Sequence, residues 1–306
     1  MKSDYILLIL YLSFSPIMAQ NSMEVFEKYH NRLCNILINT SNSIDDYFVE
    51  GNQTSKRSKT YAELSSSIAI ENRQNFEKDI RLRLRLSLPK IQKNLRLIFE
   101  DDNNNDTLYD RTTLNDEKLI DKSYYLRLEY LRFIKRRLNL ALGAGLRVRQ
   151  GNLVPYLNLR SRINLYKKDF IKSMLYNRFR FYSDREIENI FEFNTLYIVN
   201  DSLYLLFRNQ FSYSNKNKFE EIYHDLSLVK ELSSKKQLNL GIGLRSHSKN
   251  FKTYSKEYYH IHTLYKHTFY KHWLYYQIAP SLLWREENHF KTSYRLMVNF
   301  GIYFKK

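Results

Sequence analysis

The chain has 306 residues, a formal net charge of +17 and a mean hydropathy of −0.56, so it is basic and polar on average. Its 7 glycines and 4 prolines exclude a collagen-like chain and a disordered chain rich in both residues. A single cysteine, Cys34, excludes an internal disulfide and a zinc site built from several cysteines. The positive charge fits binding to nucleic acid or to an anionic surface, but it also fits a composition rich in lysine, asparagine, isoleucine and tyrosine.

Residues 1–19 have the pattern of a secretory signal peptide. Lys2 is followed by an apolar run over 5–14, by Pro16, and by the small residue Ala19 at the expected cut. An uncleaved anchor is the alternative. No later stretch has the ~18 consecutive apolar residues of a membrane-spanning helix. The sequence therefore predicts an exported protein.

The next segment, 20–60, differs from the rest of the chain. Apolar residues recur at three- and four-residue steps within 22–48, which predicts an amphipathic helix. Residues 50–60 form a polar linker. We expect the segment to be periplasmic, where its helix could enter the lumen of a barrel as a plug.

From residue 61 the hydrophobic period changes to two. In 81–88 arginine alternates with leucine until Ser87, so a strand would carry the leucines on one face and the polar residues on the other. The segments with this pattern are about 10 to 15 residues long, longer than soluble strands and long enough to cross a bilayer. A soluble β-sandwich with its arginines outside is the alternative.

Fourteen segments show this alternation, and twelve strands would result if the first hairpin is misread. The segments are 61–71, 76–88, 92–101, 122–134, 137–149, 153–166, 169–182, 185–199, 202–214, 217–231, 236–248, 253–269, 271–285 and 290–304. An even number is typical of bacterial single-chain barrels and leaves both termini on the periplasmic side. The long acidic connection at 102–121 then faces outward, and the short turns face the periplasm.

The C-terminal segment 294–304, aromatic and alternating, resembles the last strand of Gram-negative outer-membrane β-barrel proteins, although Lys305 and Lys306 follow its final aromatic residue. The resemblance is porin-like in general form. It implies that 61–306 is an all-β, transmembrane antiparallel barrel of about fourteen strands. It also implies outer-membrane lipid and lipopolysaccharide as surroundings and the barrel assembly machinery as a partner during biogenesis, and it gives no reason to expect nucleic acid.

The inward face of such a barrel would be rich in arginine. The predicted lumen-lining residues are Arg81, Arg83, Arg85, Arg147, Arg149, Arg160, Arg162, Arg245 and Arg295. A cationic lumen favours passage of anions. The alternative is that these arginines form ion pairs with lumenal acids and brace the wall; the acids considered are Glu129, Glu188, Glu192, Glu221 and Asp225.

The sequence offers few candidates for other chemistry. His260 and His262 share one face of a strand, but no carboxylate or thiol at useful spacing suggests a third metal ligand, so we predict no metal site and no cofactor. His224 and Ser227 lie close in sequence but on opposite faces of their strand, which argues against a local Ser–His pair. We therefore predict that the protein is not an enzyme, with an outer-membrane lipid hydrolase as the weakest alternative.

Two strands carry pairs of inward glycines, at Gly143 and Gly145 and at Gly241 and Gly243. Glycine inside a strand marks the close approach of another group. That group is either a docked N-terminal helix or neighbouring aromatic rings. The functional prediction is a passive channel for small solutes with a modest anion preference, and the alternative is a closed barrel with a structural or surface-binding role.

Overall fold

The computed structural model shows one closed antiparallel β-barrel with an N-terminal helix at one end. It describes residues 16–47, 60–74, 76–88, 95–101, 124–135, 137–149, 151–168, 170–216, 219–249 and 253–305. The predicted signal peptide up to residue 15 and the predicted outer loop at 102–121 lie outside the described residues.

The helix, α1, spans Pro16–Tyr47. The strands are β1 Tyr61–Glu71, β2 Glu77–Ser87, β3 Arg96–Asp101, β4 Tyr124–Lys135, β5 Leu138–Arg149, β6 Asn152–Lys168, β7 Ile171–Tyr182, β8 Ile187–Asn200, β9 Leu203–Ser214, β10 Phe219–Ser233, β11 Lys236–Lys249, β12 Tyr254–Tyr270, β13 Leu274–Arg285 and β14 Thr292–Phe304. A short 3₁₀ helix, Glu286–Asn288, precedes β14.

Within the described residues, fourteen strands pair with their neighbours in chain order, and β14 returns to pair with β1. The closing register runs from Ala62 opposite Phe304 to Glu71 opposite Arg295. Each described strand therefore pairs with a neighbour on both sides. The prediction of a fourteen-strand antiparallel barrel is confirmed, and the alternative of twelve strands is excluded.

The two faces of the barrel wall differ in chemistry. Leu82, Leu128 and Leu240 lie on the outer face and are 40–46% exposed. Many polar side chains on the enclosed face are nearly inaccessible, as with Asn158 and Glu192, which are both 0% exposed. Apolar side chains therefore cover the outside, and a packed polar layer fills much of the inside.

Helix α1 lies against the end of the barrel where β1 begins and β14 ends, called here the terminal end. His30 donates from Nε2 to the carbonyl oxygen of Tyr303 at 2.8 Å and stacks on Trp273 with ring centroids 4.1 Å apart. Further along, Ser41 donates to the carbonyl oxygen of Ser87 at 2.9 Å. The helix thus crosses the rim from the turn after β12 to the end of β2.

A charged contact holds the N-terminal part of α1 to the same rim. The Glu27 carboxylate accepts hydrogen bonds from Lys271 and from the Tyr270 hydroxyl, the latter at 3.1 Å. The hydrogen bond from Lys271, followed by the one from Tyr270, lowers the pKa of Glu27. The same contact raises the pKa of Lys271.

In the part of the chain that the structure describes, no helix combines the length and the apolarity needed to cross a membrane.

Candidate functional site in the barrel interior

The predicted arginines of β2 lie on the inner face and pair with acids. Arg81 contacts Asp79 at 2.8 Å, and Arg83 contacts Glu63 at 3.2 Å. The arginine side chains are 24% and 26% exposed, whereas their partners are 6% and 13% exposed. On this wall the acids lie behind the arginines, so positive charge faces the remaining lumenal space. Arg85, the third member of this row, lies over the Tyr61 ring at 5.3 Å.

The arginines of β6 follow the same arrangement. Arg160 hydrogen-bonds Glu129, and Arg127 approaches the same carboxylate at 3.6 Å. The Arg160 side chain is 12% exposed and that of Glu129 is 1% exposed. Arg162 lies within electrostatic reach of the buried carboxylate of Glu192. A buried acid is thus again paired with a more accessible arginine.

The opposite end of the barrel carries a denser network around Arg147. This guanidinium donates to Glu186 at 2.7 Å and to Glu188 at 3.4 Å, and it stacks on the Tyr182 ring at 3.8 Å. Arg180 contacts the same Glu188 at 3.3 Å. Here Glu188 is more accessible than its partners, since it is 22% exposed and both arginines are at most 3% exposed, whereas Glu186 is as buried as Arg147. Positive charge therefore does not dominate this end.

An acid in the β7–β8 turn belongs to the same network. Partial burial alone would raise the pKa of Asp184, but the backbone amide of Glu186, the Lys216 ammonium and the Arg147 guanidinium outweigh it and lower that pKa. Asp184 therefore stays ionised beside Arg147 at 3.6 Å.

The remaining predicted lumen-lining arginines lie on β5, β11 and β14. Arg245 on β11 contacts Glu221 at 3.0 Å, and both side chains are partly exposed. Arg295 on β14 shares Glu71 with Arg285 in a cluster that is almost inaccessible to water. Arg149 lies in β5, but its side chain is outside the described ones.

Part of the interior is apolar. Leu196, Leu206 and Val229 lie on the inner faces of β8, β9 and β10 near the terminal end and form a cluster that is at most 3% exposed. Ile198 and Tyr204 pack against it. This cluster narrows the space that water or a solute can occupy.

A second polar cluster, the Asp225–His260–His262 cluster, lies on the inner faces of β10 and β12. Oδ2 of Asp225 is 3.9 Å from Nε2 of His260 and 3.8 Å from Nδ1 of His262. One ligand atom from each residue lies within 4.8 Å of the other two. The sequence places no carboxylate at useful spacing from the two histidines, and the fold brings Asp225 beside them from another strand.

Ser227 completes the surroundings of this cluster. Its hydroxyl donates to Oδ1 of Asp225 at 2.6 Å and lies 3.5 Å from Nε2 of His262. His224, the histidine close to Ser227 in sequence, is exposed on the outer face and contacts Asn209 at 2.6 Å. Ser227 and His224 thus point to opposite sides of the wall, as the alternation predicts.

Side-chain rings from neighbouring strands lie beside most of the inward glycines. A Cβ at Gly145 would fall 2.8 Å from the Tyr156 ring, and a Cβ at Gly241 would fall 2.5 Å from the Ser227 hydroxyl and 2.6 Å from Nε2 of His262. The described contacts of α1 lie instead at the rim. Rings account for Gly145 and for the Gly241–Gly243 pair, which makes room for histidines, whereas Gly143 lies against the backbone of β4 at Leu128.

The molecule is therefore a porin-like β-barrel in the sense of its fold: closed, antiparallel, apolar outside and charged inside. No protein-family profile matches the chain, and no curated protein sequence matches it.

Several solved structures share the general architecture. The outer membrane channel DcaP of Acinetobacter baumannii is 9% identical, with a TM-score of 0.46, covering 83% of this chain and 100% of its own. OmpT of Vibrio cholerae is 8% identical, with a TM-score of 0.45, covering 80% and 97%. A bacterial polysaccharide outer membrane secretin is 9% identical, with a TM-score of 0.47, covering 81% and 98%.

Proposed function

We propose that the chain is a β-barrel of a Gram-negative outer membrane, exported with a cleaved signal peptide at 1–19. Thirteen of the described strands have 11 to 17 residues, enough to cross a hydrocarbon layer when tilted. Their outer face carries exposed leucine, isoleucine and phenylalanine rows of the kind that lipid covers. Outer-membrane lipid and lipopolysaccharide are the proposed surroundings, and the barrel assembly machinery is the proposed partner during insertion.

Within that setting, the protein is proposed to be a narrow passive channel for small solutes with a modest anion preference. The observation that carries this proposal is the asymmetry of the ion pairs on one wall. Arg81, Arg83 and Arg160 keep 12–26% of their side chains exposed, while their acidic partners are more deeply buried. Charge at the water-facing surface decides which ion is concentrated in a confined lumen.

The preference is expected to be modest because each of these arginines has a nearby counter-charge. A paired guanidinium attracts a passing anion less strongly than an isolated one, since the carboxylate behind it cancels part of its field. The acids around Arg147 at the opposite end of the barrel oppose the effect further. The lumen therefore favours anions without excluding cations.

Planar-bilayer conductance under a salt gradient tests the proposal. The wild-type protein should show step conductance with a reversal potential on the anion-selective side. The double variant Arg81→Gln, Arg83→Gln should shift that potential toward zero, because it removes two lumenal charges. Lys78→Gln is the matched control, since Lys78 is an exposed lysine of the same strand with the opposite parity to Arg81 and Arg83.

Two outcomes would overturn the proposal. A reversal potential favouring cations would end the anion preference alone. Absence of step conductance, even after deletion of residues 20–60, would end the channel proposal. That deletion removes α1 from the terminal end and so tests whether the helix obstructs the mouth.

A closed barrel with a structural or surface-binding role is the second candidate. The interior cluster of Leu196, Leu206 and Val229 favours it, because buried apolar side chains within a lumen leave less room for water. In this case neither the full chain nor the deletion variant conducts, while both insert stably into vesicles. The same recording thus separates the two candidates.

A further inference from the structure

We propose that Asp225, His260 and His262 form a binding site for a divalent transition-metal ion of the zinc type inside the barrel. Two imidazole nitrogens and one carboxylate oxygen are a donor set that zinc uses in proteins. Asp225 and His260 are at most 2% exposed, and the His262 side chain is 15% exposed. His262 therefore gives the buried cluster an opening toward the lumen through which an ion can enter.

The barrel register brings these residues together. In the β10–β11–β12 ladder, Asp225 lies opposite Gly243, which lies opposite His260. Two residues further along β10, Ser227 lies opposite Gly241, which lies opposite His262. Because β11 has no side chain at either position, the two imidazoles can extend across it toward β10.

The glycines are necessary for that arrangement. A Cβ at Gly243 would fall 2.7 Å from Cε1 of His260, and a Cβ at Gly241 would fall 2.6 Å from Nε2 of His262. Real Cβ atoms do not approach other atoms so closely, so any larger residue would displace the rings. The middle strand is thus shaped to admit two imidazoles beside one carboxylate.

The distances between donors are close to those of a metal site. Ligand atoms bound to zinc at ~2.0–2.2 Å in a tetrahedron lie about 3.4 Å apart. The Asp225 oxygen lies 3.8 and 3.9 Å from the two histidine nitrogens, so each of these two distances needs a contraction of about half an ångström, and all three ligand atoms lie within 4.8 Å of one another. Rotation of the imidazole rings can supply a change of that size.

Neighbouring side chains act on the carboxylate in two ways. The Ser227 hydroxyl donates to Oδ1 of Asp225 and leaves Oδ2 directed at the histidines, an outer contact of the kind that orients metal ligands. Arg208, opposite Asp225 across the β9–β10 pair, places a positive charge nearby and opposes a dication. We therefore expect weaker binding than in a closed structural zinc site, with water or a small anion as the fourth ligand.

Metal analysis after equilibrium dialysis of the untagged, folded barrel against Zn²⁺ tests the proposal. One Zn²⁺ per barrel is expected, and Co²⁺ should give the visible absorption of a tetrahedral or five-coordinate site. His260→Gln and His262→Gln should each weaken Zn²⁺ binding by at least about tenfold. His224→Gln, which removes an exposed histidine from the outer face of β10, the strand that also carries Asp225, is the matched control and should bind as the wild type does.

The outcomes separate cleanly. Zn²⁺ binding that persists in His260→Gln and His262→Gln, or that His224→Gln abolishes, would overturn the assignment, and so would equal competition by Ca²⁺, which prefers oxygen ligands. If His260→Gln fails to fold, His262→Gln still decides the question, because His262 is partly exposed. None of these measurements depends on conductance, so they test the metal site independently of the proposed channel.

Discussion

The buried carboxylate of Glu71 provides the sharpest test of the ionic interior. It is 4% exposed and accepts from Arg285 Nε at 2.9 Å and Nη2 at 3.1 Å, and from Arg295 Nη1 at 3.4 Å. Glu71→Gln keeps the shape of the side chain but removes its charge, and Glu77 remains as an anion 3.1 Å from Arg295.

The expected cost follows from that geometry. Breaking a buried ion pair by removing one partner costs roughly 3–5 kcal/mol, because the other charge stays buried without compensation. Glu77 still compensates part of the charge, so we expect a loss of about 3 kcal/mol in the free energy of unfolding. With a denaturant slope of about 3 kcal/mol per molar urea, the unfolding midpoint should fall by about 1 M.

Equilibrium urea unfolding in lipid vesicles, followed by tryptophan fluorescence, measures this change. Trp284 is adjacent to Arg285 in the sequence and reports on this end of the barrel. The matched control is Glu287→Gln, because Glu287 accepts an exposed hydrogen bond from Gln74 at the same end. The control should stay within about 0.5 kcal/mol of the wild type. A midpoint for Glu71→Gln equal to that of the control would refute the view that buried ion pairs hold the lumen together.

Two further predictions concern the rim and the packing of the wall. Lowering the pH should loosen α1, because Lys271 lowers the pKa of Glu27. The contact between Glu27 and Lys271 is complete above the ordinary glutamate pKa of 4.5, and it is lost as the pH falls through the lowered pKa of Glu27. Trp273 fluorescence should follow this release, and Glu27→Gln should abolish its dependence on pH in that range, so an unchanged acidic transition in the variant would contradict the assignment. Gly301→Ala should lower the free energy of unfolding by roughly 1–3 kcal/mol, since its Cβ would overlap the Tyr275 ring, and an unchanged urea midpoint would show that the ring can move aside.

The barrel could be predicted from the sequence because its strands are long and alternate without interruption. The first strand was expected at 61–71 and is found at Tyr61–Glu71. Of the segment predicted at 92–101, the structure describes a strand over Arg96–Asp101, and 92–94 lie outside the described residues. The helix begins at Pro16, ahead of the expected 22–48, because proline is compatible with the first turn of a helix even though it breaks a helix interior.

The interior is harder to predict, because the charge that the wall presents to the lumen depends on whether the arginine or the acid of each ion pair is the more exposed. The alternation places Arg83 inside but cannot say that Glu63 lies behind it with half its exposed fraction. Conversely, the same alternation could not show that Glu188 would lie in front of Arg147 and Arg180. Cross-strand register and side-chain depth decide these relations, and neither is encoded in the period of one strand.

The Asp225–His260–His262 cluster has a signal in the sequence that lies in the strand between its members. Ser227 and His262 are separated by 35 positions, so no local motif joins them. Two inward glycines leave the inner face of a strand without side chains. When both neighbouring strands carry inward polar residues, this pattern predicts that the polar side chains extend over the glycines and contact each other. Gly145 tests this rule by contrast, because the ring beside it belongs to Tyr156, which provides no good metal ligand. Glycine pairs therefore mark where space is available, and the residues opposite them decide whether the space holds a packed ring or a ligand. On this argument Gly241→Ala should weaken zinc binding as much as His262→Gln does, by at least about tenfold, although it removes no ligand.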